Sequence, residues 1–497
     1  MVSTCTDRTG LRRFSFASAL LTAWAATVSA VPANYDQPLD RPFTLRNPKP
    51  LVLEDEYARQ LREGAPMTFI FPRPCQAEND SSAACGGPHG ATFSHPGGGR
   101  GISFSPQAGY EYRRLGENVN AFEIGLLSTG RAGPVSFHLD TRMFTELHEN
   151  FDHSSYDREF LEKQDQDASG SLAYTSYSRF RAHASYDVPW GRFTAGKDAV
   201  HWGPGLYHNL VFSRDAIPFR HLTFSTSIGP FSVMSLYGSL LTGRNWEGDM
   251  SHASRSIYAH RYEWRMGGDW LLGISEQLVL HDAEAPFAFL PMIPLFIAKA
   301  EEKEALNNGN IAADLCWRFL DRFRLYSEFF IDDMQSPTSL FDDSWGNKWA
   351  WMAGGQWIWS RGPLQGGMVA EYSRLEPWVY THYKANTSQT AHFDYPLGNQ
   401  VGPNSQTLTA KAWAAGMSGL TYSCRVDWRW KGADPGSGIN DEFYSTGLTR
   451  KVFLEGIDSP AFSATPSITW QWRKYSLGAW LEIGEATTGS ASILYRY

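Results

Sequence analysis

Charge is scarce in this chain. Asp, Glu, Lys and Arg make up 19% of its 497 residues, where soluble domains average about 25%. Cysteine is scarcer, with five in all, and no spacing among them matches a metal-binding pattern. No cofactor fingerprint and no nucleophile elbow occur, so neither a cofactor nor a metal is expected and an enzyme is not predicted. After the first thirty residues there is no run of about 18 uninterrupted apolar residues, which excludes a helical membrane span on ordinary criteria. The most apolar stretch, Pro286 to Ala298, is too short and is broken by three prolines. It is expected to be a loop that buries its rings.

Aromatic residues, by contrast, are abundant at 14%, with 19 Trp, 22 Tyr and 30 Phe. Mean hydropathy is nevertheless −0.36, so rings are plentiful in a chain that is not hydrophobic overall. Alternation of apolar and polar residues along membrane-spanning strands, with aromatic girdles at the two interfaces, accounts for both facts.

The first thirty residues predict a secretory signal. Arg8, Arg12 and Arg13 precede a mainly apolar stretch from Phe14 to Ala26, and Val28-Ser29-Ala30 fits small-residue cleavage. Its removal leaves 41 basic and 51 acidic residues, a net charge of −10, and so acidic a chain makes nucleic acid an unsuitable partner. Residues 31–100 form a separate Pro- and Gly-rich unit, expected to be a small periplasmic or plug segment. It contains one helix from Leu51 to Gly64, with Leu53, Tyr57 and Leu61 on one face. Cys75 and Cys85 lie ten residues apart there and are expected to close a small loop in an oxidising compartment. Cys316 and Cys424 lie within strand-like runs and are expected to be small packed residues.

From 101 to 497 the period changes to two. Leu172, Tyr174, Phe180, Ala182, Ala184 and Tyr186 share one face, while Arg179, Arg181 and His183 lie on the other. Val426, Trp428 and Trp430 alternate with Asp427, Arg429 and Lys431 in the same way. Many such runs reach ten or more residues, about twice the usual strand. Tight turns near 130–132, 189, 229, 268, 321, 361 and 418 alternate with long segments at 146–170, 200–218, 242–256, 282–309, 335–346, 376–405 and 432–440. Short on one side and long on the other is the outer-membrane pattern. The fold class is therefore all-β, a transmembrane antiparallel β-barrel of about 18 strands. The last sixty or so residues hold three strand-like pieces where parity calls for two or four. The chain ends ASILYRY, with Ala491, Ile493, Tyr495 and Tyr497 on one face, similar to the C-terminal signal read by outer-membrane assembly machinery.

Between Gly196 and Pro218 runs GKDAVHWGPGLYHNLVFSRDAIP, the densest local cluster of Gly, Pro, rings and ionisable groups. Such composition predicts a shaped loop. It either packs on its own scaffold or presents Trp202, Tyr207 and His208 to a ligand. His201, Ser213 and Asp215 are close enough in sequence to form a hydrolytic set, but proximity alone does not make a triad. Glu328, Asp332 and Asp333 end one strand and would pair with lumenal Arg or bind Ca²⁺. Trp378, Tyr380 and Tyr383 lie on another presumed outer loop. Flat rings beside polar groups suit a polysaccharide, because sugar C–H faces lie on rings while hydroxyls take polar partners.

These stretches resemble the capsule-assembly Wzi family of outer-membrane proteins. The similarity is carried by the Trp202-Gly203-Pro204-Gly205 segment with its flanks, RFLDRFRLYSEFFIDD from Arg318 to Asp333, EYSRLEPWVYTHY from Glu371 to Tyr383, and YPLGNQVGPNS from Tyr395 to Ser405. The resemblance implies a barrel of about 18 strands, closed in part by N-terminal helices, that acts as a surface lectin for capsular or other exopolysaccharide. The single N-terminal helix and the Cys75/Cys85 loop depart from that pattern. The expected function is an outer-membrane barrel that binds extracellular polysaccharide and helps attach it to the cell surface. Its expected ligand contacts are Trp202, Tyr207, His208, Trp378, Tyr380 and Tyr383, and its other partners are outer-membrane lipid and the assembly machinery. The alternative is a porin or gated export channel lined by Arg179, Arg181, His183, Arg429 and Lys431.

Overall fold

The structure, a computed structural model, describes residues 91–94, 100–114, 118–149, 165–169 and 172–496, apart from short loop segments of which 243–253 and 302–306 are the longest. The expected signal peptide, the 51–64 helix and the Cys75/Cys85 pair lie outside the described residues.

Eighteen strands form the wall. The first six are β1 (Arg100–Arg114), β2 (Asn118–Ala132), β3 (Val135–His148), β4 (Leu172–Val188), β5 (Gly191–Asp198) and β6 (Phe219–Ile228). The next six are β7 (Phe231–Leu241), β8 (Ser254–Met266), β9 (Trp270–His281), β10 (Asn308–Phe319), β11 (Phe323–Asp333) and β12 (Lys348–Arg361). The ring is completed by β13 (Leu364–Leu375), β14 (Ser405–Ala415), β15 (Leu420–Lys431), β16 (Ala461–Trp472), β17 (Tyr475–Glu482) and β18 (Thr488–Arg496). Each pairs antiparallel with its neighbours, and β18 closes on β1 over Gln107–Arg114. Closure leaves no long unpaired edge, which a lipid environment demands of a sheet.

Even-numbered strands pass to odd-numbered ones through tight turns at one end, and the long connections gather at the other. Gly133 and Gly229 sit at two of the tight turns with φ of 60° and 59°, the left-handed region that two-residue hairpins require and glycine supplies at least cost. The three strands in the last sixty residues are real, and they bring the total to an even number.

Burial runs opposite to that of a soluble protein. On β2 and β3 the buried side chains include Glu123, Asp140, Arg142, Glu146 and His148 beside Val119, Ala121 and Phe144, while Phe122, Ile124, Val135 and Met143 are exposed. Polar groups face the lumen and apolar groups face outward, as a wall in lipid requires. Near the tight-turn end the rings of Trp270, Trp317, Phe319, Phe323 and Trp357 stack in a continuous row from strand to strand, forming a girdle where ring bodies and polar edges both find partners. Cys316 is packed in the lumen, as expected, whereas Cys424 lies on the exposed face.

The β9–β10 connection departs from expectation. Residues Ala285 to Glu301, including a short helix α1 (Leu295–Glu301), lie against the outer wall of β8 and β9. Leu295 and Ala288 pack on Tyr258, Leu278 and Leu280, which alternation places on the outward face. Phe287, Met292 and Phe296 are not buried, being 76%, 82% and 71% exposed. The stretch spends its small and branched residues on the barrel and turns its largest ones away from it.

Candidate functional site

The largest hydrophobic cluster lies inside the barrel. Inward positions on β7 to β12 include an apolar set, Met234, Leu236, Ile257, Leu271, Phe330 and Met352, all of which belong to it. The β5–β6 loop, residues 199–218, folds into this pocket and contributes Trp202, Leu206, Tyr207, Leu210, Val211 and Phe212 to the same cluster. A loop so apolar would expose its rings to water at the rim, and the lumen wall offers them burial.

Burying a loop leaves its amides in need of acceptors, each unpaired one costing about 1–3 kcal/mol. Two carboxylates on the wall supply them. Glu371 on β13 accepts the N–H groups of Leu206, Tyr207 and His208 at 2.5, 2.9 and 3.0 Å, and the Tyr326 hydroxyl at 2.5 Å. Three successive amides converging on one carboxylate make an anion nest whose anion belongs to the protein itself. Glu328 on β11 accepts the Leu210 N–H at 2.8 Å, and Gln277 on β9 donates to the Val211 carbonyl at 3.2 Å. The glycines ahead of the nest are needed for it. Gly203 has φ of 106°, and a Cβ on Gly205 would overlap Asn209 Oδ1 and lie 2.8 Å from Met352 Cε.

The three loop residues expected to meet ligand are all interior. Trp202 is 1% exposed, donates from Nε1 to the Met234 sulfur at 3.2 Å and stands edge-on to Phe212 at 5.0 Å. Tyr207 lies under the Arg425 guanidinium, 4.6 Å from its ring centre. His208 Nε2 is 2.8 Å from Thr409 Oγ1, whose single proton goes to Asp427 at 2.5 Å. Nε2 must therefore carry the proton and donate it to Thr409, which leaves Nδ1 to accept from Asn399 at 3.4 Å. This neutral tautomer agrees with a pKa pushed down to about 4, chiefly by burial, with Glu371 pulling the other way.

The β13–β14 loop, residues 376–404, closes over the first. The Tyr380 hydroxyl donates to the Leu210 carbonyl at 2.7 Å and accepts from the Asn399 N–H at 3.1 Å, while the Tyr380 N–H donates to Asp332 at 2.8 Å. Trp378 is buried against Gly436, whose carbonyl accepts its N–H at 2.9 Å. Both aromatic residues adopt left-handed backbone, with φ of 72° for Trp378 and 67° for Tyr380. Such conformations persist only where the surroundings hold them; here the Thr381 N–H and hydroxyl both donate to the Trp378 carbonyl, at 3.1 and 2.7 Å. His382 is buried beside Thr387 at 2.7 Å, and burial, with Lys348 next, pushes its pKa down to about 4. Tyr383 alone of the six expected contacts keeps a partly exposed ring.

Other expectations resolve differently. Ser213 Oγ accepts the Asp215 N–H at 3.2 Å, a turn-closing bond, and Asn209 sits 3.1 Å from His201 Nε2. Glu328 and Asp332, expected to pair with lumenal Arg or bind Ca²⁺, accept loop amides from Leu210 and Tyr380. Glu371, the central anchor, was not singled out from sequence, although a carboxylate on the inward face opposite a Gly-rich loop marks such a position. Of the expected lumen cations, Arg181 and His183 approach Asp198 at 3.9 and 3.7 Å. His183 stacks on His138 with centroids 5.0 Å apart, and Lys431 donates to the Val401 carbonyl at 3.0 Å. The remaining lumen charges are knitted together. Arg113 bridges Glu111 and Glu146, and Arg261 bridges Glu263 and Asp314, all buried.

No family model matches the chain, and no curated protein does. Solved structures do. The chain is similar to Wzi of Escherichia coli, described as an outer membrane protein involved in group 1 capsule assembly and a carbohydrate-binding β-barrel. The match has 12% identity and a TM-score of 0.52, covering 79% of this chain and 84% of that one. It also matches Acinetobacter baumannii OccAB2, at 11% identity and a TM-score of 0.45 over 80% of this chain and 98% of that one. A third match is Pseudomonas aeruginosa OpdK, solved with vanillate, at 12% identity and a TM-score of 0.43 over 80% and 98%. At these identities the likeness to Wzi shows the barrel fold alone.

Proposed function

We propose that the chain is a non-enzymatic outer-membrane barrel that holds extracellular polysaccharide at the cell surface, with its long-loop end facing outward. The observation that carries this reading is the filled lumen. A solute channel keeps its lining solvated, whereas here a loop anchored by Glu371 and Glu328 occupies mid-barrel and the charges around it are buried and paired. With a loop occupying the lumen, the outer rim is the surface left for a polymer to meet. The Wzi likeness is consistent with this reading.

At that rim the polymer would meet the Tyr383 ring, the exposed Lys384 beside it, and Trp345, over which Lys348 sits at 5.5 Å. Trp202, Tyr207, His208, Trp378 and Tyr380 act from below, by fixing the shape of the two loops that form the floor. Many weak contacts repeated along a polymer sum to useful retention. Pull-down on the producing cell's own surface polysaccharide tests the proposal: capture by the native protein that falls with Tyr383→Ala supports it, and absence of capture refutes it.

The gated-channel reading draws on one observation, that the plug is a loop held by hydrogen bonds and so releasable in principle. Planar-bilayer recording separates the two. A large steady conductance from the native protein would favour transport and leave the rim without its role.

A further inference from the structure

The strap on the outer wall, residues 285–301, reaches far down it. Tyr258, His260 and Tyr262 of β8 face outward, because Ile257 and Ala259, with which they alternate, belong to the lumen cluster. The strap's tip is tied to this face by the Tyr262 hydroxyl, which donates to the Pro291 carbonyl at 2.8 Å. Tyr262 stands four residues along β8 from Met266, the cross-strand partner of the girdle residue Trp270. At about 3.4 Å per residue and a tilt of about 40°, that separation rises about 10 Å, which holds Pro291 near the middle of an apolar band roughly 25 Å tall.

The strap covers polar groups and presents apolar ones. Glu276 and His260 are directly opposed cross-strand partners on the outward face, with His260 Nδ1 3.1 Å from Glu276 Oε1. Ionisable side chains turned towards acyl chains are costly. Beneath the strap His260 is fully buried, and Glu276 Oε2 accepts the Leu295 N–H at 2.9 Å. From Pro286 to Ala298, by contrast, no residue has an ionisable, hydroxyl or amide side chain. The backbone is economical too. Pro286, Pro291 and Pro294 have no N–H to satisfy, and the Ala285 N–H donates to the Tyr258 hydroxyl at 3.1 Å. Those of Ala288, Leu290, Ile293 and Ile297 donate to carbonyls of the strap itself at 2.8, 3.0, 3.1 and 3.0 Å. Backbone at membrane depth needs such internal pairing, whereas a loop in water does not. Helix α1 lies over β9 and β10, where the outward residues Ile274, Ile311, Ala313 and Leu315 are apolar as well, so the free face of the strap continues the lipid-facing wall.

We propose that the strap is a re-entrant segment immersed in the outer leaflet: acyl chains of lipid cover Phe287, Met292 and Phe296, and the opposite side of the strap seals the His260–Glu276 pair from them. The proposal rests on the outer-membrane placement with the long-loop end outward, given above, but not on polysaccharide binding, so either can fail alone.

The test puts the photoreactive residue p-benzoylphenylalanine in place of Met292 in the full-length protein, reconstituted in phosphatidylcholine vesicles, and reads the mass of the irradiated chain. The same residue in place of Ile274, on the outward face of β9, shows that lipid capture works, and in place of Lys384, at the rim, it should capture none. The Met292 variant is expected to gain the mass of a phosphatidylcholine. A covalent dimer instead would mean that a second copy covers the strap, and an unmodified chain that water does; either overturns the proposal. A second measurement uses chymotrypsin, added outside the vesicles. The native strap is expected to resist cleavage after Phe287, Phe289 and Phe296, whereas M292D, with a charge at the tip, should be cut there about tenfold or more faster while its gel band stays heat-modifiable. Ready cleavage of the native strap, or equal resistance in folded M292D, would also overturn the proposal.

Discussion

Replacing Glu371 by Gln changes one atom of the lumen plug's main anchor and keeps its size. The carboxylate accepts from four donors, with Leu206 and Tyr326 on one oxygen and Tyr207 and His208 on the other. An amide retains one acceptor oxygen and turns a donor NH₂ towards two of the four. Hydrogen bonds to a charged group contribute about 1.5–3 kcal/mol each, and an orphaned buried N–H adds its own desolvation cost. Losing two such bonds therefore weakens the seated plug by about 3–6 kcal/mol, or roughly a hundredfold to ten-thousandfold in the ratio of released to seated loop. Hydrogen exchange at Leu206, Tyr207 and His208 should accelerate by that order in E371Q, and planar bilayers should show openings that the native protein lacks. Glu376→Gln at the rim, which disturbs the pairs with Arg374 and Lys451, is the control and should leave those three amides protected. If folded E371Q kept native exchange rates at the nest, the anchoring role assigned to Glu371 would be wrong.

Acid should loosen the same plug. His208 is held neutral, with its pKa lowered from 6.5 to about 4. Its contribution is complete above pH 6.5 and is lost as pH falls towards 4, because only the released state takes up the proton. By pH 5 the loss is about 2 kcal/mol, seen as faster exchange across 199–218; an H208N variant that kept the full pH dependence would refute the assignment. Tyr380→Phe removes a donor to the Leu210 carbonyl and an acceptor for the Asn399 N–H. It should weaken loop closure by about 1–2 kcal/mol, measured as increased protease cleavage within 376–404 while the barrel band stays heat-modifiable. Arg261→Met leaves Glu263 and Asp314 buried without their cation and should destabilise the barrel by about 3–5 kcal/mol, lowering the temperature at which the compact gel band is lost. Arg114→Gln, in an exposed 4.0 Å pair with Glu149, should have almost no effect.

The wall was legible because lipid outside and polar groups inside impose a period of two, and Asp427, Arg429 and Lys431 against Val426, Trp428 and Trp430 display it directly. The turn expected at Gly229 is where the chain reverses, while the one expected at 130–132 falls just after the strand, at Gly133, since tight reversals need backbone few residues adopt. The destination of a loop leaves no such period. Trp202, Tyr207 and Tyr380 have the chemistry of a sugar platform, and the same rings equally suit an apolar cavity. The strap from Pro286 was misread for a related reason, because an apolar segment in a membrane protein has two apolar places to go, its own interior and the lipid.

One signal in the strands does discriminate between these outcomes. A water-filled barrel needs polar residues on every inward face, and β1 to β3 comply with Glu111, Arg113, Glu123 and Arg142. From β7 to β12 the inward positions include Met234, Leu236, Leu240, Ile257, Leu271, Val279, Phe330 and Met352, set among Arg255, Arg261, Asp314, Glu328 and Asp332, so an apolar patch interrupts the polar lining of these strands. An apolar patch spread over six of the eighteen strands is costly to leave against water. Something apolar must fill it, and the chain's own loops with spare rings, 199–218 and 376–404, lie at the right end of the barrel to do so. A run such as Leu278-Val279-Leu280 within a barrel strand therefore implies an internal plug, and the carboxylates interrupting those inward faces, Glu328 and Glu371, are where the plug's backbone must be caught.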